Sequence, residues 1–177
     1  MPLYYVNGYG VPRNILWDCN YSAFLAKALF PLVDSRSIVY LAGGATNPCY
    51  PDRTEAGEML RWAEHNGLCV TIDFYLINRS IDLQGNLLGL LQETGRDIEL
   101  VLFCEWARQD YMRFLVGRMF SNAKVVPIKF DAGMDWLSRP RQLLRLPVKV
   151  AGYYSPTVRR LVQLPLRRRF MRRQARP

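Results

Sequence analysis

The sequence predicts a doubly wound α/β fold: a mostly parallel five-stranded sheet in three layers, carrying a basic C-terminal extension. Three observations lead there. Short runs rich in β-formers alternate with helical patterns over residues 1–135, and strands alternating with helices of about 10–15 residues build βαβ units with right-handed crossovers. One unit is written out in full over Ser37–Asn66, as strand, glycine turn and acidic-capped helix. After Asp135 the composition changes, which sets a Rossmann-like domain at 1–135 apart from an extension at 136–177.

Leu3–Asn7 reads as the first strand, ended by Gly8-Tyr9-Gly10-Val11-Pro12. A helix is expected over Asn20–Leu32, with Phe24, Leu25, Ala28 and Leu29 on one face and Asp18 as its cap. Ser37–Ala42 is the second strand, and Thr54–Asn66 the second helix, closed by Gly67. The apolar run Leu68–Phe74 reads as the third strand, and Asp82 caps a third helix that stops at Gly95. Glu99–Cys104 is almost continuously apolar, as suits a strand buried on both faces. Ala107–Phe120 then reads as a helix and Lys124–Phe130 as the fifth strand. In the extension, Ser138–Arg141 reads as a turn, Gln142–Val150 as a short helix or an edge strand, and Ser155–Leu164 as a helix.

The net charge of +9 is unevenly placed. Half of the 24 Lys/Arg and none of the 15 Asp/Glu fall in residues 136–177, so the extension carries +12 and the body −3. Four scattered cysteines and a single histidine, His65, form no metal-ligand cluster and no nucleophilic triad. No leader pattern opens the chain, and no apolar run approaches the roughly 20 residues of a membrane span. A cytoplasmic protein with reduced thiols is expected, its basic tail allowing a peripheral place on the inner membrane face.

Ligands of α/β sheets settle outside the carboxyl ends of the strands. The Gly43-Gly44 turn is thus the expected place for backbone N–H groups to meet a bound phosphate or carboxylate. Gly8, in the turn ending the first strand, is a second ligand-binding candidate. Neither turn is a Walker A loop or a full dinucleotide fingerprint. Glu55 lies in the first turn of its helix, where the dipole favours a carboxylate whatever its role, and Glu58 is expected to be solvated. Asp82 and Asn86, four residues apart, converge on one ligand or serve as a cap and an exposed amide. Glu105 and Arg108 follow the fourth strand, as polar binding groups or as a surface ion pair.

The body resembles the YdcF/SanA/ElyC-like family, a bacterial domain, over about residues 3–130. The resemblance rests on Gly43-Gly44 followed by Thr54-Glu55-Ala56 and Met59, which is similar to the family's Gly-Gly…Ser/Thr-Glu-Ala-x-x-Met signature. Arg79-Ser80-Ile81-Asp82 with Asn86, and Leu100–Cys104 with Arg108, add to it. The chain departs from the pattern at Leu83 and Gly85, where relatives carry a Thr and an acid, and at Trp106, where they carry a His. The resemblance implies a Rossmann-like sheet with a site at its strand ends. S-adenosylmethionine is a ligand associated with some relatives, and lipid-carrier metabolism with others.

The function expected is therefore binding of a small nucleotide-like or phosphorylated ligand. If the site is catalytic, the chemistry is transferase or phosphate-ester, with Glu55 or Glu105 as acid/base and Arg108 as anion binder. The alternative is a non-catalytic protein that docks on an anionic membrane or another anionic partner through residues 155–177, where arginines alternate with Leu161, Val162, Leu164, Leu166, Phe170 and Met171. Nucleic acid is a third partner for this tail, thinly supported by three aromatics near its end.

Overall fold

The computed structural model describes residues 2–47, 49–78, 80, 82–129 and 135–161, excepting the side chains of 34, 35, 135–139 and 141. The strands are β1 (Leu3–Asn7), β2 (Ile38–Ala42), β3 (Asp73–Ile77), β4 (Glu99–Glu105) and β5 (Asn122–Ile128). The helices are α1 (Cys19–Leu29), α2 (Glu55–His65), α3 (Leu83–Thr94), α4 (Gln109–Met119) and α5 (Asp135–Tyr154). All neighbouring strands pair parallel, in the order β3-β2-β1-β4-β5. The sheet is doubly wound as expected, and wholly parallel.

Period-two alternation sorts the strand side chains onto two faces. Val6, Val39, Leu41 and Phe103 pack with Phe24, Leu25, Leu29, Met59 and Trp62 from α1 and α2. Tyr5, Tyr40, Leu100, Leu102 and Cys104 pack with Leu87, Leu90, Met112 and Leu115 from α3 and α4. Burial on both faces explains why β1, β2 and β4 read as continuous apolar runs.

The caps form locally. Asp18 accepts from the Tyr21 N–H, Thr54 from Gly57, and Asp82 from Gly85, each satisfying an orphan donor of a first helical turn.

The third strand lies later than Leu68–Phe74. Gly67 takes a left-handed conformation (φ 72°), and Leu68–Val70 forms a 3₁₀ turn instead. Register against β2, which pairs Ile38 with Asp73 and Ala42 with Ile77, fixes the strand. The expected Ser138–Arg141 turn lies inside α5, which runs for 20 residues through Pro140 and Pro147. Its inner face holds it: Tyr153 meets Phe114 edge-on at 5.4 Å, and Lys149 stands 5.1 Å over the Tyr111 ring. Residues 156–161 are helical as expected. The rest of the Arg-rich tail, 162–177, lies outside the described residues. Among them, no helix is long and apolar enough to cross a membrane.

Candidate functional site

Strand order decides where a ligand can sit. β1, β2 and β3 build outward to one side, and the chain then returns to place β4 on the other side of β1. The loops leaving β1 and β4 diverge at this reversal and leave a crevice at the strands' carboxyl ends. A cleft of about 470 Å³ opens there. Residues 7–11 after β1 form one side, Gly44, Thr46 and Asn47 after β2 another, and Leu83 and Asn86 of α3 face them. Glu55 and Arg108 supply its charge.

Glu55 is 6 % exposed. The Thr46 hydroxyl donates to its Oε1 at 2.6 Å. Its Oε2 fills the space beside Gly8 and Gly43, where a Cβ on either glycine would collide with it. Burial pushes this carboxyl up from the ordinary carboxylate range, and the Thr46 hydrogen bond and the Arg108 charge pull it partly back. A carboxyl so placed can hold or release a proton nearer neutral pH than a solvated one.

Arg108 follows β4 in a 3₁₀ turn, Trp106–Arg108. Its Nη1 donates to the Gly8 carbonyl at 3.3 Å, and its Nε pairs with Glu105 at 3.2 Å. The guanidinium thereby ties the β4 exit to the β1 exit. Asn7 Nδ2 donates to the same Gly8 carbonyl at 2.6 Å, and Asn7 Oδ1 accepts a long 3.4 Å hydrogen bond from the Tyr5 hydroxyl. The Tyr9 N–H goes to the Tyr21 hydroxyl at 3.1 Å.

Asn86 is 4 % exposed, and its Oδ1 has no hydrogen-bond partner among the described residues. Buried amides are normally bonded, because an unmet one costs about 1–3 kcal/mol. Here the amide belongs to the cleft lining.

Of the expected site residues, Gly8, Gly44, Glu55, Asn86 and Arg108 come together at the cleft. The Gly43 expectation needs correction. Gly43 does not offer its N–H to a ligand: that group bonds the Ile77 carbonyl at 2.9 Å. The α2 terminus is closed as well. The Glu55 and Ala56 N–H groups bond the Gly44 and Gly43 carbonyls, and those of Gly57 and Glu58 bond Thr54. Of its two expected readings Asp82 takes the cap: it caps α3 and also receives Arg159 at 2.8 and 3.0 Å.

Glu105 is held beside Arg108 and lies outside the cleft lining. Glu58, expected in solvent, is buried against Arg53 at 2.5 Å; Arg53 also donates to the Pro12 and Arg13 carbonyls and so fastens the loop after β1. At Gly85 a Cβ would collide with the Ser80 side chain, a packing reason for glycine at that position. Leu83 makes part of the cleft wall apolar.

Sequence reasoning missed Asn7, Thr46 and Asn47. They are legible as the polar residues at or just past strand ends. It also missed Lys149, which α5 carries toward the Trp106–Arg108 turn. Burial and the positive charges of Arg108 and Arg145 pull its ammonium down to about 8, against the pull of Glu105. Among the described residues no group of three or more His, Cys, Asp or Glu is placed to hold a metal ion. No protein-family model, curated protein or solved structure matches this chain.

Proposed function

We propose that this is a small-ligand-binding α/β domain of the YdcF/SanA/ElyC-like type, with its ligand in the cleft between the β1 and β4 exits. The observation that carries the reading is the buried Asn86 amide, whose Oδ1 is unmet among the described residues while its side chain lines that cleft. A ligand donor there recovers the hydrogen bond that the fold leaves unmade.

The lining chemistry narrows the ligand. Arg108 supplies a delocalised cation for a phosphate or carboxylate. Asn7, Asn47 and Thr46 supply neutral polar groups, and Leu83 an apolar wall. A nucleotide-like or otherwise phosphorylated molecule combines these features, and S-adenosylmethionine, with its carboxylate and ribose, belongs to the same chemical range. Anion recognition falls to Arg108, because the α2 N–H groups are already bonded. If the site turns over its ligand, Glu55 is the proton carrier, with transferase or phosphate-ester chemistry the matching class. Glu105 serves as a positioning residue for Arg108.

The test is native mass spectrometry of the gently purified chain, followed by thermal-shift titration with S-adenosylmethionine, nucleotides, nucleotide sugars and polyprenyl phosphates. A retained mass, or a shift from one compound that vanishes in Asn86→Leu, is expected. Asn86→Leu itself keeps or gains stability, since it removes an unmet buried acceptor. A destabilised Asn86→Leu that still binds ligand would place the amide in the fold's own bonding and overturn the reading.

A further inference from the structure

α5 shows solvent the opposite of what a surface helix normally shows. Pro140, Leu144, Pro147, Val148, Ala151 and Tyr154 are exposed, and none is charged. At 3.6 residues per turn these six positions fall within an arc of about 120°. Leu144 is 81 % exposed, Tyr154 61 % and Val148 50 %, and Leu143 widens the stripe on one side. The opposite side packs on the body through Lys149 and Tyr153, and Gly152 is buried beside Arg159. An ordinary surface helix turns charged and polar residues outward.

Charge says what covers this stripe. Residues 136–177 carry +12 with no acidic residue, and exposed Arg145 flanks the stripe. A second copy of the chain would supply apolar surface but would bring another +12 against the first. A nucleic acid would supply phosphates but nothing for Leu144 and Val148. An anionic bilayer surface supplies both, with acyl chains for the stripe and headgroup phosphates for the arginines.

We propose that α5 is an interfacial docking helix that seats its outward stripe in the surface of an anionic bilayer. The sequence places eight of the extension's 12 basic residues in 155–177; the structure adds, upstream of them on α5, the apolar face such a charge requires. This proposal does not rest on the ligand reading. The inner side of α5 packs against the Trp106–Arg108 turn, so a docked chain holds the cleft about one helix diameter, roughly 10–12 Å, from the bilayer.

The experiment is flotation of the full-length chain with vesicles of mixed phosphatidylglycerol and phosphatidylcholine, and with pure phosphatidylcholine. It compares wild type with the double variant Leu144→Asp/Val148→Asp. Wild type is expected to float with the anionic vesicles only. The variant is expected to bind them at least about tenfold more weakly with an unchanged melting temperature. Equal binding by the variant would assign the attachment to arginines alone and overturn the proposal. So would a marked fall in the variant's melting temperature, which would show the stripe covered by the chain itself. Failure of wild type to float would overturn it, as would a dimer, or an RNA or DNA complex, that the same substitutions disrupt.

Discussion

Gly8→Ala tests whether Glu55 occupies the space that makes Gly8 a glycine. A Cβ there would lie 2.5 Å from Glu55 Oε2, 2.7 Å from Glu55 Cβ and 3.1 Å from the Tyr21 hydroxyl. The carboxyl end can swing aside only by giving up the Thr46 hydrogen bond. The Glu55 Cβ cannot swing, because the first turn of α2 is tied to the Gly43 and Gly44 carbonyls. Overpacking of this kind costs about 1–3 kcal/mol, and a lost hydrogen bond about 1 more, so a total of roughly 2–4 kcal/mol is expected. For a chain of this length each kcal/mol lowers the melting temperature by about 2–4 °C.

The assay is a double-mutant cycle by urea unfolding. Glu55→Gly removes every Glu55 atom in the way and leaves only the Tyr21 contact. In that background Gly8→Ala should recover about 1–3 kcal/mol of its cost. Gly43→Ala is the internal control. It meets the Glu55 carboxyl and lies 2.5 Å from the Glu55 Cβ, but its backbone also sits at φ +150°. Glu55→Gly should therefore rescue only its packing part and leave a strain of about 1–3 kcal/mol. Additive costs for Gly8→Ala and Glu55→Gly, within about 0.5 kcal/mol, would refute the reasoning.

Three further outcomes follow from charge and capping. Because the Glu55 carboxyl is raised by burial, the folded chain binds more protons than the unfolded one just above the ordinary carboxylate range, and stability falls as pH rises through that window. Glu55→Gln should thus gain on wild type in urea midpoint from acid toward neutral pH, and a flat or reversed difference would contradict the assignment. Lys149 is held down at about 8 from an ordinary 10.5, so wild type gains stability as pH climbs between those values. Lys149→Met should lack that gain. Arg159→Gln breaks a pair whose side chains are 29 % and 27 % exposed, and should cost no more than about 1 kcal/mol. Asp82→Ala loses the pair and the α3 cap together and should cost about 1–2 kcal/mol; equal costs in thermal unfolding would deny the cap its share.

Much of the fold was legible in the sequence because its signals are short-ranged. Asp18, Thr54 and Asp82 cap their helices through groups only three residues away. The continuous apolar runs of β1, β2 and β4 and the 3.6-residue pattern of α1 report burial directly. β3 was read too early because Leu68-Cys69-Val70 is apolar, yet Cys69 and Val70 are exposed and the strand begins where β2 offers a partner. Glu58 was read as solvated because its partner Arg53 lies before the helix, where helical spacing does not apply.

The site was half legible. Residue types at strand ends pointed to Gly8, Gly44, Glu55, Asn86 and Arg108 by local position alone. That Asn86 is buried while Asp82 is diverted to Arg159, 77 residues away, depends on how distant segments pack. The sequence by itself determined the caps, the charge of the extension and the elements other than β3 and α5, since each is set by neighbours along the chain. Tertiary structure decided the order β3-β2-β1-β4-β5, and with it the reversal that opens the cleft. It also decided which face of α5 meets solvent. Both are choices among long-range packings, where burial shared between distant segments outweighs any local preference.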